Sequence, residues 1–402
     1  MNKSIVFMAL AIVLNTSLFA QTATVWRNGT DGVYPETGLL KSWPEGGPEV
    51  LWVFEGLGEG HSSPAFALNH IFVSTMIGQE GYIFVLDLEG KEVKRYPYGT
   101  EFYESYNGAR STPVIVGDWL YIYSGQGVIY AFEALTGKLR WKKDMLANTD
   151  GKNIQWGVTE TVVVDAGLLY LSPGGKEQNI VALDSKTGEP VWTSAAKGEL
   201  SAYCTPRLIE FEYRKLLVTM MASHIVGVDA ETGEFLWSHY QPNQWSVHAN
   251  TPVFSNGMLY CTSGYGQGTV ALQLNEDGSS ATQKWFNSSL DNRMGGTVLI
   301  DGYLYGSGDK SRGWYCVDAQ SGEQKWSSKT PGNGVVIAAD GMLFIYSDRG
   351  ELVLASASPD AFEIKGQAKV THGTAQHWAH PVINNGILYL RHGDALVAYK
   401  IK

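Results

Sequence analysis

The chain has 402 residues, 44% of them hydrophobic, with 46 glycines, 13 tryptophans and 21 tyrosines, and a formal net charge of −10. So much apolar and aromatic side chain excludes a disordered chain and supplies a large core. The acidic balance excludes general nucleic-acid binding, which needs a basic face.

The first segment, MNKSIVFMALAIVLNTSLFAQ, combines Lys3, an apolar run from Ile5 to Leu14, and Ala20 before Gln21. It reads as a secretory signal peptide over residues 1–20, because the run is too short to span a bilayer. The expectation is an exported protein, periplasmic or extracellular. No cysteine stands at that boundary, so a lipoprotein is not expected, and no later segment offers about 18 uninterrupted apolar residues for a transmembrane span. Residues 21–48 are Gly/Pro-rich but hold Trp26 and Trp43. They read as an ordered extension packed on the domain that follows, not as a linker.

From residue 49 onward one phrase returns. ALDSKTGEPVW (182–192) has counterparts in AFEALTGKLRW (131–141), GVDAETGEFLW (227–237) and CVDAQSGEQKW (316–326). In the clearest full unit, residues 111–143, four short strands are predicted near 112–116, 119–124, 128–133 and 138–142. Each is apolar or alternating and bounded by Gly or Asp turns. The first strand of the unit recurs near Pro64, Pro113, Thr161, Pro206, Pro252, Thr297, Val335 and Pro381, at spacings of 38 to 49 residues. These eight starts predict an all-β fold: a single eight-bladed β-propeller of four-stranded antiparallel blades over residues 49–402. Seven blades is the competing count, because the seventh unit has a degenerate turn, ASASPDAFEIKG. The last unit supplies only three strands before Lys402, and EVLWVFEG (49–56) can supply the fourth. N- and C-terminal strands would then close the last blade and remove the free edges.

The phrase has a local physical sense. Asp184 and Thr187 suit the turn between third and fourth strands, and Gly188 can take positive φ. Trp192 then falls on the outermost strand, where its ring can pack on the neighbouring blade. The blade-docking positions are Trp52, Trp141, Trp192, Trp237, Trp285 and Trp326, each contributing about 2–3 kcal/mol or more by burial. Cys204, Cys261 and Cys316 fall in three different units and read as small buried hydrophobes, with no CxxC and no adjacent pair.

Ala182, Asp184, Thr187, Gly188 and Trp192, with their equivalents in the other copies, resemble the tryptophan-docking repeats of the pyrroloquinoline quinone (PQQ)-like propeller superfamily. The resemblance covers residues 49 to 402. The leader from Trp26 to Trp52 is also similar to the lead-in of exported PQQ-binding-like propeller repeat proteins. The superfamily includes quinone-dependent dehydrogenases and non-catalytic scaffolds, among them the lipoprotein propeller subunit of the outer-membrane β-barrel assembly machine. The resemblance therefore implies the fold and leaves both kinds of function open.

Function is expected at one end of the channel, where loops leading into first strands share a face with loops joining second to third strands. The first group brings His61, Asn107, Arg110, Trp156, Glu160, Tyr203, Trp245, His248, Arg293, Asn333, His377 and Trp378. The second brings Gln79, Lys176, His224, Tyr265, Gln267, Lys310, Arg312, Arg349, Arg391 and His392. Arginines and aromatic rings on one mouth of an acidic protein suit an anionic ligand, although Asp291, Asp309, Asp348 and Asp394 can neutralise them locally. The leading expectation is a monomeric binding or interaction scaffold whose target is a carbohydrate, another anionic small molecule or a cell-envelope protein.

The rivals are a PQQ-dependent alcohol or sugar dehydrogenase and a glycan-active lyase or hydrolase. A quinoprotein would need an aromatic floor, for which Trp156, Trp245 or Trp378 are candidates, and a Ca²⁺ that Glu160 with Asn107 could hold. It would also imply the adjacent-cysteine disulfide and long inserted loops of the larger enzymes, which this chain lacks. No cofactor is assigned. His372, His377 and His380 share one loop but match no zinc spacing, so no metal site is assigned. SGYGQG (263–268) and SGDKSRG (307–313) do not lead into helices and are not phosphate loops.

Overall fold

The computed structural model describes residues 26–402 apart from Ser311. The secretory-signal reading of residues 1–20 lies outside the described residues. Eight antiparallel four-stranded sheets follow one another along the chain, so the blades number eight. Blades 1 to 7 span residues 65–100, 114–144, 163–194, 207–240, 253–287, 298–328 and 334–369. Blade 8 combines residues 382–400 with Val50–Glu55, which pairs antiparallel with Ala395–Lys400 and closes the ring. The one α-helix among the described residues is a single turn, Met145–Asn148, capped by the Asp144 side chain on the Ala147 N–H.

Second and third strands are apolar almost throughout because blades cover both their faces, as in Met342–Ser347, where every residue is buried. Fourth strands alternate instead. In Pro190–Ser194, Val191 faces solvent and Trp192 is buried.

That tryptophan is a fastener to the next blade. The Nε1–H of Trp141, Trp192, Trp237, Trp285 and Trp326 donates to the Ser185, Ala230, Gly278, Ala319 and Ser358 carbonyls, at 2.8–3.1 Å. The turn that receives it is built locally. Asp184 Oδ1 accepts from the N–H groups of Lys186 and Thr187 and from the Thr187 hydroxyl, at 2.8–3.0 Å. Gly188 takes φ +72°, and a Cβ there would meet the Trp141 ring at 2.6 Å. Opposite each ring, in the same blade, stands a small residue: Ala398, Ala131, Ala182, Gly227, Ala271 or Cys316. Blade 1 carries Lys94 at this register. There Tyr96 takes over, donating its hydroxyl to the Ala134 carbonyl at 2.8 Å. Blade 7 carries Gly366, opposite Leu354. The missing ring comes from Trp43 of the extension, which lies against Gly366 and packs on Phe344.

A second set of ties runs along the channel wall from blade 1 to blade 4. The N–H groups of Ser63, Thr112 and Thr161 donate to the hydroxyls of Thr112, Thr161 and Thr205, each in the next blade, at 3.0–3.2 Å. Inner and outer fasteners together hold the channel wall to a fixed shape.

The extension packs inside that wall. Val33–Tyr34 pairs in parallel with Gly334–Ala339, the innermost strand of blade 7, as a fifth strand. Arg27 is buried in the channel, donating to the Val336 and Thr297 carbonyls and lying 2.6 Å from His380 Nδ1. Arg207 of blade 4 pairs with Asp31 from the opposite side. The segment runs from the loop-rich mouth toward the far end, then out to Leu40, whose N–H meets the Ile401 carbonyl. Cys204, Cys261 and Cys316 are buried and free of disulfides.

Candidate functional site at the channel mouth

Because the extension occupies the channel, the mouth is a blind cavity of about 240 Å³ with Trp26 and His380 at its base. The Trp26 and His380 rings meet edge to face at 4.9 Å, and the Arg27 guanidinium lies beneath. Blades from opposite sides of the ring supply the walls. On one side Trp378 packs against His61 at 5.0 Å and Tyr106 at 5.2 Å. On the other, Trp156 packs against Tyr203 at 6.0 Å, with Tyr265 and Val247 beside it. Arg110 and Arg293 also line the cavity, with Thr159, Thr161, Thr205, Ala249 and Met294.

Six of the twelve first-group residues meet here: His61, Arg110, Trp156, Tyr203, Arg293 and Trp378. Trp245 stands at the rim, its half-exposed ring edge-on to Trp156 at 6.5 Å. Asn107 is exposed and away from the lining. The remaining four lie off the lining. Glu160 is fully buried, both carboxylate oxygens on the Ser172 N–H at 3.1 Å. His248 is fully buried with Nε2 3.3 Å from the Ala222 carbonyl, and burial lowers its pKa to about 4. Asn333 is buried off the cavity, its carbonyl on the Asp348 N–H. His377 is stacked on His392 at 3.8 Å and bonded to the Tyr346 hydroxyl.

The second loop group contributes only Tyr265 to the lining. Arg391, read as a mouth arginine, is instead fully buried, donating to the Gly393 and Ser74 carbonyls and the Ser62 and Thr75 hydroxyls. His224 is held by Glu199 at 2.6 Å. Gln79, Lys176, Gln267, Lys310, Arg312, Arg349 and His392 stay off the wall.

Nine lining residues lie outside both loop groups: Thr159, Thr161, Thr205, Val247, Ala249 and Met294, and the three rings of Tyr106, His380 and Trp26. Tyr106 sits one residue before the candidate Asn107, in the same loop. His380 belongs to the histidine loop 372–380, and Trp26 belongs to the extension. No local pattern could have placed Trp26, because its position follows from the parallel pairing of Val33–Tyr34.

The electrostatics are one-sided. Among the described residues, no Asp or Glu lines the cavity. Arg293 is paired with Asp309 at 3.1 Å, but Arg110 has no ion pair among the described residues. Its guanidinium lies over Phe102 at 5.4 Å and donates to the Ser105 and Tyr106 carbonyls. Burial, then the charge of Arg110, lowers the His61 pKa to about 3, so that ring is neutral at physiological pH. Burial raises Tyr203 to about 12.

A Ca²⁺-held quinone does not fit these residues. The pairing of Glu160 with Asn107 is not formed, no carboxylate or amide side chain lines the cavity, and no group of three His, Cys, Asp or Glu among the described residues is placed to hold a metal.

A family model described as outer membrane protein assembly factor BamB matches residues 20–328. The BamB of Kangiella koreensis is 29% identical over 156 residues, covering 39% of this chain and 35% of its own length. Quinohemoprotein alcohol dehydrogenase ADH-IIG of Pseudomonas putida is 22% identical over 262 residues, 61% of this chain and 32% of its own. The chain thus spans about a third of the length of these curated relatives. The crystal structure of BamB from Moraxella catarrhalis superposes with a TM-score of 0.64 at 13% identity, covering 88% of this chain and 100% of that one. ADHIIG from Pseudomonas putida superposes with a TM-score of 0.63 at 10% identity, covering 92% and 78%. At such identities the structural likeness is one of fold. The family match, by contrast, extends over more than half of the chain: the protein belongs to the family of the outer membrane protein assembly factor BamB, a PQQ-like propeller family related also to quinoprotein dehydrogenases.

Proposed function

We propose that the protein is an exported, monomeric binding module that takes its ligand at the channel mouth. The carrying observation is the convergence of Trp378, His61, Tyr106, Trp156 and Arg110, from loops of different blades, on one blind and largely aromatic cavity. Such a cavity removes a ligand's apolar face from water, while a few polar groups set its orientation. The enzyme readings have less support. A glycan hydrolase uses paired carboxylates, and the lining holds none. The family name supports one further occupant of the same mouth, a segment of a cell-envelope protein.

The test is titration of the full chain with PQQ and Ca²⁺, followed by dye-linked oxidation of alcohols and sugars. Saturable binding with turnover would overturn the binding-module reading in favour of a dehydrogenase. The expected result is no turnover, with ligand-induced quenching of tryptophan fluorescence that Trp378→Ala weakens at least tenfold.

A further inference from the structure

We infer that the ligand is an acidic oligosaccharide, one sugar carboxylate held by Arg110 and His61 and the sugar faces laid on Trp378 and Trp156. The inference rests on the mouth reading above and names its ligand class.

Residues of the lining hold buried donors with no hydrogen-bond partner. Arg110 Nε is buried without an acceptor, while its Nη2 is fixed by the Ser105 and Tyr106 carbonyls. The carboxylate that acts on it, Glu101, already takes the Tyr98 hydroxyl and the Gly125 N–H. His61 is only 9% exposed, and neither ring nitrogen has a partner of good geometry; the Gln376 backbone approaches the ring, and the charges of Arg110, Arg391 and His392 act on it. Its own N–H is tied to the Ala109 carbonyl at 2.8 Å, which sets the ring beside Arg110. A neutral imidazole keeps one N–H, so guanidinium and imidazole together offer donors to the two oxygens of one carboxylate. Arg293 lies 3.1 Å from Asp309 as an ion pair and adds positive charge, and its Nε is likewise buried with no hydrogen-bond partner.

The aromatic surface says what carries that carboxylate. A compact aromatic acid would be satisfied inside the cavity, but the rings continue past it. Tyr106 extends the Trp378 wall and Trp245 extends the Trp156 wall, and these two are 50% and 48% exposed. Exposed rings leading out of a site fit a ligand longer than the site. The C–H groups on a sugar face carry partial positive charge and match the negative faces of the rings, while the hydroxyls at the sugar edge stay in water.

Calorimetry and tryptophan fluorescence on the full chain test this with short oligomers of galacturonate, of mannuronate and guluronate, and of glucuronate-containing hyaluronan. Cellotetraose, methyl-esterified oligogalacturonate and inorganic phosphate are the controls. At least one acidic series is expected to bind saturably. Methyl esterification and Arg110→Gln should each weaken that binding at least tenfold, and Trp245→Ala should weaken tetramers more than dimers. Circular dichroism checks that each variant is folded, and His61→Phe gives a second carboxylate-site variant if Arg110→Gln is not. Equal affinity for ester and acid would overturn the carboxylate assignment while leaving the mouth reading intact. Silence from every acidic series would overturn the inference, and Trp378-dependent binding of cellotetraose or PQQ would then show that the mouth still binds. Competition by phosphate at similar concentration would mark a general anion site and overturn the sugar assignment.

Discussion

Glu160 buries a carboxyl completely, with one backbone N–H as its partner. Burial raises its pKa well above the ordinary carboxylate value, so the folded chain holds this proton after the unfolded chain has released it. That contribution to stability is fully present below the unfolded pKa, near 4.5, and is lost as pH rises toward the folded value. Glu160→Gln should therefore be more stable than the parent at pH 8, with the gap closing by pH 5, as read from urea midpoints at the two pH values. From its place in a lead-in loop, Glu160 looked like a cation ligand. Its burial depends on neighbouring blades, which a run of residues does not display. The same holds for Arg391, whose solvent is the Ser62–Ser74 wall of blade 1. By contrast, the roles of Asp184 and Gly188 were readable, because a turn that bonds to its own backbone is decided within a few residues.

Among elements, the fourth strand shows how far that local logic reaches. Trp192 couples a ring against Gly233 and a donor to Ala230, both in the next blade, with a register position opposite Ala182 in its own. Trp192→Phe keeps most of the ring and loses the bond to Ala230, so it should cost about 1–2 kcal/mol in chemical denaturation. Trp192→Ala should cost about 3–5 kcal/mol. Trp43→Ala should cost a similar amount, although no repeat contains Trp43, and should loosen the joint between blades 7 and 8. Hydrogen exchange in Ile364–Lys369 should then rise before that in Pro190–Ser194. The sequence marked Trp43 as buried in an ordered extension, but the position it fills is opened by Gly366, far away in the chain. Likewise the parallel strand Val33–Tyr34 is too short to carry a period of its own.

For the whole molecule, two ends of the chain share blade 8 while a third stretch fills the axis. Removing residues 26–34 should leave the ring closed by Val50–Glu55 but open the cavity at its base, so fluorescence should report a folded propeller with at least tenfold weaker ligand binding. Removing residues 49–56 as well should expose the edge of Ala395–Lys400, and light scattering should show association through that edge. Blade number and closure were legible because repetition is a property of the whole chain. Which loop residues turn inward was legible only in part: Arg110 and Trp378 reach the cavity, whereas their neighbours Asn107 and His377 do not. The tryptophan supplied from outside blade 7 has a consequence for how such a ring can grow or shrink. Blades 2 to 6 each carry both halves of their joints, so any of them is a unit that can be copied or exchanged with its contacts intact. Blade 7 is not such a unit. Moved elsewhere it would bring a glycine where its neighbour needs an indole, so the leader and the seventh blade must be inherited, or engineered, as one piece.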